Sequence, residues 1–200
     1  MDKMVKTANS VDNFVRVLRK IDFIILIIGG IALAAGLIFL IAVPEIAHEN
    51  EATSVFGNGT LMIKLAKECV IEKHSFINLC INLIISLLYT LISYFALGYI
   101  RNILQPMKEG LLFDNAVSFN IKKLAYITIF YGIVGNLSAI IDLIMFNHFT
   151  DFSAITDSGL IESIKYVYVF DYKFLIAFFV LLFVSYVFRY GESFQQKVDD

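Results

Sequence analysis

The chain has 200 residues, of which 58% are hydrophobic, and a mean hydropathy of +0.76. A soluble globular domain is less apolar, at about 45–50%. The formal net charge of −2 favours neither nucleic acid nor an anionic surface as a partner of the whole chain. Two cysteines are too few for a disulfide framework. This composition favours an integral membrane protein.

The first long apolar segment covers residues 23–43 and has 21 residues without a charged side chain. At about 1.5 Å per residue, such a helix crosses a hydrocarbon core of about 30 Å. A lead with five basic residues precedes it, and apolar side chains recur there at helical spacing over residues 11–18. This spacing predicts a short surface helix that runs into the span, with a solvated basic flank as the alternative. Gly30 and Ala34 predict close packing against a neighbouring helix, with a bend at Gly29-Gly30 as the alternative.

Three further apolar segments complete four predicted spans within one domain of residues 1–200. They cover about residues 77–100, 124–145 and 167–188. Between the first two spans, residues 45–76 are predicted to form a polar loop, in which a helical pattern begins at Thr60. Pro106 falls where the second helix is predicted to leave the membrane, and Gly110 predicts the end of that helix. Asp114 or Asn115 predicts the N-cap of the third helix.

The basic residues predict the orientation of the spans. Eleven of the 16 Lys and Arg residues fall in the N-terminal lead, in residues 101–123 and in the C-terminal tail, and five fall on the alternate side. Basic residues mark the cytoplasmic side of a membrane. We therefore predict an all-α integral membrane four-helix bundle in the lipid bilayer, with both the N and the C terminus cytoplasmic.

Polar side chains inside the predicted spans are candidates for function. Asn82 belongs to a polar stripe of span two, which predicts helix packing or, alternatively, a water-filled path. Asn136 and Asp142 lie in span three, and Asp171 lies in span four. The two aspartates are predicted at the outer ends of adjacent spans, where the pair could share a proton or bind a cation. The alternatives are a structural ion pair and two hydrated carboxylates at headgroup level.

Motifs of enzymes and metal sites are missing from the sequence. There is no phosphate loop, no G-x-S-x-G nucleophile motif and no HExxH. No two of the histidines His48, His74 and His148 have the spacing of metal ligands on one helix. We therefore predict that the chain is not an enzyme and has no cofactor and no metal site.

Two stretches carry a resemblance to a known family. The first contains Arg101-Asn102-Ile103-Leu104, Glu109-Gly110, Phe113, Asn115 and Lys122-Lys123-Leu124, and the second contains Val187-Phe188-Arg189-Tyr190-Gly191-Glu192 and Phe194-Gln195. Together they resemble a bacterial four-span membrane family catalogued as a domain of unknown function, often encoded beside a small Cro/CI-type helix-turn-helix regulator. The resemblance implies the bacterial cytoplasmic membrane as the location and no established activity.

Both stretches are predicted to face the cytoplasm, so we expect a docking surface there. Its candidate residues are Arg101, Phe113, Asn115, Lys122, Lys123, Arg189 and Tyr190. The hypothesis is a non-enzymatic sensor or sequestering partner of a small cytoplasmic transcriptional regulator. The alternatives are a small transporter or pore component and immunity to a membrane-active peptide. Small residues at helical spacing, such as Gly30 and Ala34, allow a homo-oligomer. The chain has no recognition helix for direct contact with nucleic acid.

Overall fold

Four long helices make up nearly all of the structure. The computed structural model describes residues 2–42, 55–56, 63–64, 73–111, 113–149 and 167–199. The elements are α1 (Asp2–Ala42), β1 (Val55–Phe56), β2 (Ile63–Lys64), α2 (Lys73–Lys108), α3 (Asn115–Phe149) and α4 (Lys173–Asp199). Four helices in this described part are long and apolar enough to cross a membrane. The predicted all-α fold is thereby confirmed.

Helix α1 is continuous, which confirms that the N-terminal lead runs into the first span. Its 41 residues correspond to about 60 Å at about 1.5 Å per residue. That length is about twice the thickness of a hydrocarbon core. Part of α1 therefore extends beyond the uncharged segment at residues 23–42, and this part carries the charged residues of the lead.

The connection between α2 and α3 has the predicted termination signals. Gly110 has a φ of 83°, and the backbone N–H of Leu111 donates to the carbonyl oxygen of Pro106 at 3.0 Å. Glycine adopts this left-handed conformation without a steric penalty. At the start of α3, the Oδ1 of Asp114 accepts from the backbone N–H of Ala116 at 2.6 Å. This bond satisfies an N–H that has no partner within the helix.

Two local predictions are wrong. The helix predicted from Thr60 is wrong at residues 63–64, which pair as a short antiparallel strand with residues 55–56. The predicted start of span four at Val167 is also wrong, because residues 167–172 are not helical and α4 begins at Lys173. The Oδ1 of Asp171 accepts from the backbone N–H of Lys173 at 3.0 Å. This Asx turn gives the backbone an alternative to the helix before that point.

The chain forms two compact units. The first consists of Met1–Ile28, Leu87–Asn136 and Asp171–Asp200, so it contains parts of all four helices. The second consists of Gly29–Ser86 and Leu137–Phe170. In the second unit, a Cβ at Gly30 would meet no described atom within 4 Å. The close packing predicted at Gly30 therefore has no partner in the part of the chain that the structure describes, and it stays a prediction.

Within the first unit, neighbouring helices run antiparallel. Along α3 and α4 the contacts run in opposite chain order: Ser118 with Ser185, Tyr126 with Phe178, Gly132 with Phe174 and Asn136 with Asp171. The buried apolar side chains of this unit are Ala8, Val15, Ile92, Val117, Ile121, Ala125 and Val134.

Candidate functional site

The most deeply buried charge in the first unit is the carboxylate of Asp12 in α1, whose side chain is only 3% exposed. Its Oδ1 accepts from the Nε of Arg101 at 3.0 Å. Its Oδ2 accepts from the Nη2 of Arg16 at 2.9 Å and from the Nζ of Lys108 at 2.5 Å. Three cations around one acid leave a surplus of two positive charges. We call these four residues the Asp12 cluster.

The geometry of the Asp12 cluster follows from helical spacing. Ala8, Asp12 and Val15 are one turn apart and form the buried face of the first part of α1. Arg101 and Lys108 are two turns apart on α2, so both reach the carboxylate from one side. A buried charge needs this pairing because transfer of an unpaired carboxylate out of water is costly. The cluster therefore fixes α1 against α2.

Sequence reasoning did not select Asp12, and it selected Arg101 for a different role. The sequence feature that could have identified Asp12 is an acidic residue at the centre of a strongly basic segment, at helical spacing from Ala8 and Val15. In the structure the guanidinium of Arg101 is held by Asp12 within the chain. Its predicted contribution to a docking surface stays a prediction.

The predicted docking residue Phe113 is 41% exposed, and its ring also packs against another helix of the chain. The centroid of its ring lies 5.8 Å from that of Phe188 in α4. A Cβ at Gly191 would overlap ring atoms of Phe113, so glycine permits this close approach. Phe113 belongs to the first stretch of the family resemblance, whereas Phe188 and Gly191 belong to the second. The structure thus brings the two stretches into contact.

A polar groove lies between α3 and α4 in the first unit, with a volume of about 230 Å³. Its wall carries two exposed cations, Lys122 and Arg189, and the polar side chains of Asn115 and Tyr186. At its base, the buried hydroxyl of Ser185 donates to the carbonyl oxygen of Ser118 at 2.8 Å. We call it the α3–α4 groove, and it brings together three of the predicted docking residues. Its charge suits an anionic or acidic ligand.

The exposed face of the last turns of α4 is aromatic. Tyr186, Tyr190 and Phe194 are spaced four residues apart and are each more than 60% exposed. Side chains at this spacing lie on one face of a helix. Sequence reasoning selected Tyr190 but missed Tyr186 and Phe194, although the spacing was readable. We call these three residues the α4 aromatic stripe.

The neighbouring lysine, Lys123, has different surroundings from Lys122. Its Nζ lies 4.3 Å from the ring centroid of Phe119 and 5.4 Å from that of Tyr99. Ammonium groups at such distances are attracted by the negative face of an aromatic ring. Lys123 therefore faces α2 and does not line the α3–α4 groove.

Asn136, which was predicted as a polar candidate inside span three, binds backbone of the chain itself. Its Nδ2 donates to the carbonyl oxygens of Gly132 at 2.8 Å and of Asp171 at 3.1 Å. Its Oδ1 accepts from the backbone N–H of Asp171 at 3.0 Å. One buried amide thus satisfies both backbone groups of a residue outside the helices, as an apolar environment requires.

The other polar candidates have separate surroundings. The carboxylate of Asp171 is engaged in the Asx turn at the start of α4. Asn82 in α2 and Asp142 in α3 belong to the second unit, where the side chain of Asn82 is exposed and that of Asp142 is half-buried. The predicted pairing of Asp142 with Asp171 stays a prediction.

Among the residues that the structure describes, no three or more His, Cys, Asp or Glu residues are grouped so that they could bind a metal ion. The side chains of His48, His74 and His148 lie outside the described residues. The absence of a metal site and of enzymatic activity stays a prediction.

The fold defines a class: an all-α protein with four helices able to cross a membrane, and hence a multi-pass membrane protein. Comparisons with protein-family models, curated proteins and solved structures give no match to the chain. The resemblance to the bacterial four-span family therefore stays a prediction.

Proposed function

We propose that the chain is a non-enzymatic membrane protein that binds a small soluble regulator at the end of the bundle formed by the first unit. The observation that carries the proposal is the α4 aromatic stripe beside Arg189. Exposed aromatic and arginine side chains dominate the binding energy of protein interfaces. The family resemblance adds the partner class, a cytoplasmic helix-turn-helix regulator, and the basic residues add the cytoplasmic orientation.

The charge of this surface supports a partner with an acidic patch. Lys122 and Arg189 are both exposed, and among the described residues neither forms a salt bridge. Complementary charge accelerates association and fixes the orientation of the bound partner. Arg101 contributes less in this proposal because Asp12 holds its guanidinium. The ring of Phe113, which is itself exposed, packs against Phe188, the residue before Arg189.

The test compares two matched variants in the full-length, tagged chain. The docking variant carries Arg189→Glu with Tyr190→Ala. The control carries Lys173→Glu with Tyr172→Ala, the same kind of change at the opposite end of α4, where Tyr172 is also exposed. Each protein is purified from native membranes after mild crosslinking, and bound proteins are identified by mass spectrometry.

We expect a small helix-turn-helix protein with the parent and the control, and a loss of at least about tenfold with the docking variant. Removal of a central interface aromatic costs about 2 kcal/mol or more, which corresponds to about thirtyfold and so exceeds that threshold. Equal recovery with both variants contradicts the proposed surface. If no soluble regulator is recovered with the parent, the proposed function is contradicted, and transport and immunity become the functions to test.

Transport, the first alternative, receives less support from span three. Both N–H groups of the Asn136 amide bind the carbonyl oxygens of Gly132 and Asp171, and its oxygen accepts from the backbone of Asp171, so this side chain is explained by its role in the fold. Ion flux in liposomes that contain the purified chain tests this alternative directly.

A further inference from the structure

A second groove, between α2 and α3 in the first unit, has a different chemistry. Its volume is about 440 Å³, and its wall is almost entirely apolar. Its wall includes Ile92, Phe95 and Tyr99 on α2 and Lys123, Tyr126 and Phe130 on α3. Phe95 and Phe130 are about half exposed and face the surroundings of the bundle. We call it the α2–α3 groove.

The only charged side chain in the wall of this groove, as far as the structure describes it, is Lys123 at one end. Lys123 directly precedes the apolar segment of α3, and Tyr99 lies near the end of the apolar segment of α2. Lysine and tyrosine at the ends of apolar helices mark the headgroup level of a membrane. From Lys123 to Phe130 the groove continues about 10 Å further along α3.

The ammonium of Lys123 is held over this end of the groove. Its Nζ lies over the rings of Phe119 and Tyr99, at 4.3 and 5.4 Å from their centroids. Among the described residues it forms no salt bridge. The groove thus combines a positioned cation at headgroup level with an apolar channel that leads toward the centre of the membrane.

We propose that the α2–α3 groove is a binding site for one anionic phospholipid. The phosphate contacts the ammonium of Lys123, and one acyl chain lies along Phe95 and Phe130. A lipid is the occupant that supplies negative charge and an apolar chain in the same molecule and at the same depths. The proposal does not depend on the docking function, because Lys122 and Arg189 line the other groove.

The absence of tryptophan from the chain permits a direct test. Phe130→Trp places a single tryptophan in the groove, and the protein is reconstituted into phosphatidylcholine vesicles. At equal mole fraction, either brominated phosphatidylglycerol or brominated phosphatidylcholine is added as a quencher of tryptophan emission. A lysine beside the headgroup favours an anionic over a zwitterionic lipid by roughly fivefold. We therefore expect stronger quenching by brominated phosphatidylglycerol than by brominated phosphatidylcholine.

Two charge-neutralising variants separate a site from general surface attraction. Lys123→Gln in the reporter protein is expected to abolish the preference. Lys20→Gln, an exposed lysine next to the apolar segment of α1, is expected to retain it. Added inorganic phosphate is expected to leave the quenching unchanged, because the acyl chain is part of what the site binds.

Equal quenching by the two lipids in the parent reporter overturns the proposal, and so does an equal loss in both lysine variants. Displacement by inorganic phosphate shows an anion site without lipid and also overturns it. Native mass spectrometry of the unsubstituted chain, released from mixed nanodiscs, provides a readout without tryptophan. There we expect retained phosphatidylglycerol that Lys123→Gln loses, and retention without regard to headgroup contradicts the site.

Discussion

The ring of Phe113, in the connection between α2 and α3, lies against the backbone of Gly191 in α4. This contact joins the two stretches that carry the family resemblance. The contact is a steric restriction, because a side chain larger than hydrogen at position 191 would occupy the space of the ring. A side chain at position 191 would therefore require the ring of Phe113 to move.

Gly191→Ala is expected to destabilise the protein by about 1–3 kcal/mol, the usual cost of inserting a methyl group into a filled space. The measurement is unfolding in mixed micelles with increasing denaturing detergent. The matched control is Gly30→Ala, where no described atom lies within 4 Å and alanine gains helix propensity. Adding Phe113→Ala to Gly191→Ala is expected to recover part of the loss, and strict additivity would contradict the contact.

Gly132→Ala is expected to cost more than Gly191→Ala. A Cβ at position 132 would overlap the Cγ of Phe174, which is bonded directly to the Cβ of that residue, so relief requires a change of χ1 that moves the whole ring or a shift of α4. The expected loss is at the upper end of the overpacking range, about 3 kcal/mol. Comparison of the two alanine variants in the same unfolding assay checks the order, and the reverse order would show that α4 yields more easily at Phe174.

Asp12→Ala is expected to destabilise the protein because it leaves the charges of Arg101 and Lys108 side by side without a counter-charge. Loss of one partner from a fully buried pair costs about 3–5 kcal/mol. Since Arg101 is 33% exposed and Lys108 is 20% exposed, water reduces the loss, and we expect about 1–3 kcal/mol.

The control for Asp12 is Arg16→Gln. The side chain of Arg16 is 52% exposed and pairs with Asp12 within the same helix, so its removal is expected to have a small effect. Both variants are measured by thermal unfolding in detergent at low and at high salt. Equal losses would mean that the Asp12 cluster does not fix α1 against α2.

Asn136→Ala is expected to destabilise the start of α4, because it leaves the N–H and the carbonyl of Asp171 without the side-chain partner that each has now. An unsatisfied buried polar group costs about 1–3 kcal/mol. The control, Thr128→Ala, removes a hydroxyl that binds only the carbonyl of Leu124 in its own helix. Hydrogen exchange at residues 171–175 is expected to accelerate in Asn136→Ala alone, and unchanged protection there would refute this role.

Local features of the chain were readable from the sequence. The four apolar segments, the end of α2 at Gly110 and the cap at Asp114 were all predicted, because length, hydropathy and turn chemistry depend on neighbouring residues only. The helix predicted from Thr60 and the start of span four at Val167 were wrong. In the second case the helix begins only at Lys173, after the Asx turn of Asp171, although residues 167–170 before it are apolar.

The sequence by itself determined the class of this protein, an all-α chain with four helices able to cross a membrane. The tertiary structure decided the partners of its polar groups. Asp12 pairs with three cations, and Asn136 binds the backbone of Asp171. Lys122 and Lys123 line different grooves. Adjacent residues on a helix point about 100° apart. Only the rotation and register of the helices against one another determine what each one meets.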